Sequence, residues 1–85
     1  MSRGLDGFIE RNFAIAMCYA ASVLTQRLVD AGQDVTNGLP EPTQTILGEQ
    51  VHDAMTAFFN SPPASPIDDF RMAIERAAKA AFVRL

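Results

Sequence analysis

From Phe13 to Leu24 the chain reads Phe-Ala-Ile-Ala-Met-Cys-Tyr-Ala-Ala-Ser-Val-Leu, twelve residues of which only Ser22 lies outside the hydrophobic set. No other stretch restricts the possible folds as much. At about 100° per residue, Ile9, Phe13, Ala16, Met17, Ala20, Leu24 and Leu28 fall on one side of a helix, with Phe8, Ile15, Tyr19 and Val23 on roughly the opposite side. A surface helix usually carries one apolar stripe, whereas a helix that is apolar all round must be covered on every side. The run therefore predicts a helix with two faces to hide, and two shorter partners are expected to cover one of them.

Start and stop signals divide the 85 residues into three helices in one domain spanning 1–85. The first is expected over 6–31. Asp6 is placed as its N-cap, and Gly32 as the residue that takes the left-handed conformation at its end. Asn37-Gly38 and the prolines at 40 and 42 mark a connector. The second helix is expected over 43–59, with Ile46, Leu47, Val51, Ala54, Met55, Phe58 and Phe59 on its apolar stripe and Gly48 permitting close approach. Ser61-Pro62-Pro63 breaks the chain. The third helix is expected over 66–84, with Ser65 as N-cap, Pro66 at the first helical position and Asp68 completing a near capping box. Its stripe is Ile67, Phe70, Ile74, Ala77, Ala78, Ala81 and Leu85, while Met72 and Val83 lie across from it, separated by Arg76 and Lys79. Glu75 and Lys79 have the spacing of a favourable pair on one helix face. The fold class is all-α: a long N-terminal helix packed by a C-terminal antiparallel helical hairpin.

A chain of this size buries only about 60 to 65% of the surface its unfolded form exposes. With one cysteine and one histidine, neither an intrachain disulfide nor a Cys/His metal cluster can support it. Oligomerisation is the remaining common support, so a homodimer is expected, with the second face of the first helix meeting its own copy across a two-fold axis. If the chain were monomeric, the connector would instead wrap across that helix, anchored by Val35 and Leu39. The apolar run is flanked by Arg11 and Arg27 and is shorter than the ~20 residues a bilayer requires, so no membrane span is predicted. Asp6 and Glu10 stand where a secretory leader carries basic residues. The chain reads as cytoplasmic, with Cys18 reduced.

Candidates for chemistry are few. Cys18 and His52 form a nucleophile and base on paper, but a cysteine inside the most apolar segment reads as a small buried hydrophobe. Glu49-Gln50-Val51-His52 has the Glu-x-x-His spacing of di-metal bundles, yet no bridging glutamates occur within the apolar stripes. No phosphate loop is present. The Ser61-Pro62 and Ser65-Pro66 pairs are explained as break and cap. No catalytic, cofactor-binding or metal residue is therefore assigned, and the chain is not expected to be an enzyme.

Net charge is -3, unevenly spread: seven acids and no Lys or Arg lie between Leu28 and Phe70, whereas residues 71–85 carry a net +3. The basic last helix raises the alternative of a DNA-binding helix-turn-helix-like regulator. Its cations spread around the helix, and the acidic whole opposes phosphate binding. The favoured expectation is a homodimeric regulator or inhibitor that binds a larger protein, of the anti-activator, phage-type inhibitor, antitoxin or chaperone-like kind. Phe8, Ile15, Tyr19, Val23, Met72 and Val83 are its expected dimer or partner interface.

Overall fold

The computed structural model describes residues 3–61 and 66–85. It contains three helices, α1 (Arg3–Asp30), α2 (Glu41–Asn60) and α3 (Pro66–Arg84), each packed against the other two. Gly4 faces Phe59 and Gly48 faces Phe13, so α1 and α2 run antiparallel. Phe8 meets Phe70 near the start of both α1 and α3, and Val23 lies beside Phe82 near their ends, so these two run parallel. The 28 residues of α1 span about 42 Å at 1.5 Å per residue, which accounts for the 42 Å longest dimension of the molecule.

The α1 C-terminus forms as its residues require. Gln33 N–H donates to the Leu28 carbonyl (2.8 Å) and Gly32 N–H to that of Val29 (2.9 Å), with Gly32 at φ 83°. This is the paired ending that glycine makes possible by entering the left-handed region without a Cβ clash. The start differs from expectation. Helix begins at Arg3, and Asp6 sits inside the first turn instead of capping it. Packing extends the helix beyond its sequence signal: a Cβ on Gly4 would stand 3.1 Å from Phe59 Cζ, so this turn lies hard against the end of α2. From inside the turn, the Asp6 charge still complements the helix dipole.

Helix α2 starts two residues earlier and ends one later than its signals placed it. Pro40 occupies the N-cap position with no side-chain cap. The Gln44 amide instead ties the first turn to the connector, donating from Nε2 to the Leu39 carbonyl at 2.7 Å. Helix α3 begins at Pro66 as expected, while the Ser65 cap and the Ser61-Pro62-Pro63 break lie wholly or partly outside the described residues. A Cβ on Gly48 would be 3.9 Å from Phe13 Cζ, an ordinary contact, so glycine is not required there for close approach.

Leu24, Leu47, Val51, Met55 and Ile74 are fully buried, with Ala16, Ala20, Ala77, Ala78 and Ala81 around them. Each large side chain contributes about 1.5 to 3 kcal/mol by leaving water. Alanines at helix contacts allow close approach of the helix axes. Close approach has a consequence for α1: Phe13 and Met17 pack toward α2, and Phe8, Tyr19 and Val23 pack toward α3. The two shorter helices thus cover more of α1 than expected. The connector covers its overhanging end, with Val35 and Leu39 against the core.

What remains in solvent on α1 is roughly a third of its circumference, a strip of Arg11, Ala14, Ile15, Cys18, Ser22, Gln26 and Val29. Cys18 is exposed, contrary to the buried thiol expected. Its segment is apolar on all sides, but residue 18 happens to point away from both partner helices. Ile67 and Leu85 also depart from the expected core, at 84% and 53% exposed. Ile67 lies in the first turn of α3 and Leu85 just past its last residue.

Candidate functional site

The six residues expected at an interface separate into two groups. Phe8, Tyr19 and Val23 are half-buried inside the chain's own packing. Phe8 sits among three rings, with centroids 5.9 Å from Phe58, 5.5 Å from Phe59 and 6.0 Å from Phe70. Phe58 and Phe70 meet edge to face at 5.2 Å, so a four-ring cluster closes one end of the bundle. Ile15 (66%), Met72 (45%) and Val83 (82%) are the members that face solvent. On α3, Met72 and Val83 are eleven residues apart and fall on one line, with exposed Arg76 and Lys79 between them.

Tyr19 joins α1 to α3 by a polar bond. Its hydroxyl donates to Glu75 Oε2 at 2.5 Å, and Arg71 Nε stands 4.0 Å from the same carboxylate. The expected Glu75–Lys79 pair is replaced by these partners. The bond to Glu75 pushes the Tyr19 phenol above its usual range, assisted by loss of water and by the carboxylate charge, while Arg71 offsets part of the effect. In the connector, Asp34 accepts from the Thr36 hydroxyl (2.6 Å) and backbone N–H (2.9 Å). These two bonds hold its carboxyl below the ordinary carboxylate range.

The residues weighed for chemistry are not brought together. Cys18 borders a depression beside Met17, Leu39 and Leu47, whereas His52 borders a different one with Phe13, Glu49, Asp53 and Arg84. Glu49 and His52 are both exposed on α2. Among the described residues, no three His, Cys, Asp or Glu side chains converge on a point where a metal ion could sit. No described helix is long and apolar enough to cross a membrane.

One surface feature escaped the sequence reading. Between α2 and α3 runs an open groove of 530 Å³, floored by Ala54, Ala57, Ala73, Ala77 and Ala80. Asp53 and Gln50 stand on its α2 side, Asp69 and Arg76 on its α3 side. Ala73, Ala77 and Ala80 recur at helical spacing, so a signal was present, but alanines in a stripe read equally as core. No protein-family model, curated protein or solved structure matches this chain.

Proposed function

We propose that this chain is a non-catalytic helical interaction module, a homodimeric regulator or inhibitor that works by occupying a surface of a larger protein. The observation that carries the reading is the set of large apolar side chains left outside the core on helix faces: Ile15 on α1, and Met72 and Val83 on α3. A small helical protein that keeps apolar groups in water on regular faces has the anatomy of a helix-in-groove binder. The all-α bundle supplies rigid faces of this kind, and its charge, acidic over α2 and basic on outer α3, gives an approaching partner a preferred orientation.

Sedimentation of the full chain at micromolar concentration tests the self-association, with a species of twice the 9.2 kDa chain mass expected. Capture on immobilised chain tests the partner. One dominant host protein is expected, lost with Met72→Glu while helicity is retained. A folded monomer at every concentration, capturing nothing, rejects the reading. Retention of random duplex DNA that weakens steeply with salt would favour the nucleic-acid alternative instead.

A further inference from the structure

We infer that two copies of this chain join through the α2/α3 groove, with Arg76 of each copy set against Asp53 of the other. The inference rests on the reading as a self-associating module and names the surface that joins the copies. Three features of the groove point to a second copy as its occupant.

The first is level. Phe58 meets Phe70 across the hairpin. Five residues back along α2 stands Asp53, and six forward along α3 stands Arg76, so at 1.5 Å per residue they face each other across the groove at nearly the same height. Rotation about a two-fold axis parallel to the helices lays α2 of one copy over α3 of the other without changing height. Each Asp53 then confronts the other copy's Arg76, twice per dimer, which is the self-complementarity an isologous contact requires.

The second is unused charge. Within the chain, no cation lies within 4.0 Å of Asp53 and no carboxylate within 4.0 Å of Arg76 among the described residues. The nearby Arg71, by contrast, is engaged with Asp68 and Glu75. The third is shape. An alanine floor lets two hairpins approach as the four corners of a helical bundle, and the Met72–Val83 line lies along the outer edge of the same face. A standard interface takes about 800 Å² from each partner, roughly a seventh of this chain's 5672 Å². A face two helices wide offers this more readily than the single convex strip of α1.

Charge exchange between copies tests the arrangement. Asp53→Arg turns both cross-dimer contacts into Arg–Arg, and Arg76→Glu turns both into Asp–Glu. Each variant alone is expected to raise the dimer dissociation constant by about tenfold or more. Mixed one to one, the two variants restore opposite charges at both contacts, and the heterodimer should form within about threefold of the unsubstituted affinity. No rearrangement within a single chain produces rescue on mixing. Arg11→Glu, the same charge change on the solvent strip of α1 and away from the groove, should leave the equilibrium unchanged, and circular dichroism should show unchanged helicity throughout. Single variants that dimerise normally, or a mixture that stays monomeric, overturn the assignment while leaving dimerisation intact. Dissociation by Ile15→Arg, with neither groove variant having an effect, would place the contact on α1. An unsubstituted chain that is monomeric throughout would reject the self-association reading itself.

Discussion

Phe8 and Ile15 lie only about 20° apart on the helical projection of α1, yet the structure assigns them opposite energetic roles. Phe8→Ala removes a ring that contacts Phe58, Phe59 and Phe70. A fully buried Phe→Ala change costs about 3 to 5 kcal/mol. Phe8 is half-buried, which lowers the transfer part to about 2, and the lost ring geometry adds about 0.5 to 1. The expected loss is therefore about 2 to 3 kcal/mol. For a domain of this size, each kcal/mol moves the midpoint by about 4 to 8 °C, so Tm should fall by roughly 10 to 20 °C. Ile15→Ala, on the solvent strip, should stay within about 0.5 kcal/mol.

Thermal melts at 222 nm at low protein concentration measure both variants. Hydrogen exchange over residues 4–10 then shows whether the Phe8 loss frays the first turns of α1 or acts on the whole bundle. A Phe8→Ala midpoint within about 4 °C of the unsubstituted chain would refute the idea that the ring cluster holds α1 in place. If Ile15→Ala were the more damaging change, the outer strip of α1 would have to be covered by another surface.

Two glycines should respond in opposite directions. Gly32→Ala is expected to cost about 1 kcal/mol, since the φ of 83° is disfavoured for any L side chain even though its Cβ would touch nothing. Gly48→Ala, inside α2 and in ordinary contact with Phe13 Cζ, should add about 0.5 to 1 kcal/mol; melts that rank them the other way would contradict the described backbone. The Tyr19 phenol should titrate above about 10, its value in the unfolded chain, when followed by absorbance at 295 nm. Because the folded value is raised, the stability from the Glu75 bond is fully present below about pH 10 and is lost as pH rises through the folded value. The stability difference between the native chain and Tyr19→Phe should therefore shrink only at alkaline pH. A difference constant from pH 8 to 11.5 would show that the bond does not form. Cys18 should react with a disulfide reagent in the folded protein without prior unfolding, its exposure being the condition; a protected thiol at low concentration would mean that the strip is covered.

The helices themselves were legible because their signals are local. Gly32, Asn37-Gly38, the prolines and the spacing of Leu47, Val51 and Met55 act within a few residues of where they stand, and the observed boundaries lie within three residues of those positions. The start of α1 was misplaced because its first turn is held by Phe59, a residue more than fifty positions away. Cys18 was misassigned for a similar reason. In a segment apolar on every side, composition carries no information about which third faces water.

The sequence by itself determined three helices, their order, an alanine-rich core and the separation of an acidic middle from a basic stretch after Phe70, since propensity, capping and periodicity are properties of neighbouring residues. Tertiary structure alone decided that Phe8, Tyr19 and Val23 turn inward while Ile15 and Cys18 turn outward, and that Asp53 and Arg76 face each other across an open groove. Those outcomes depend on how closely helix axes approach and at what angle, which is set by packing between residues far apart in the chain.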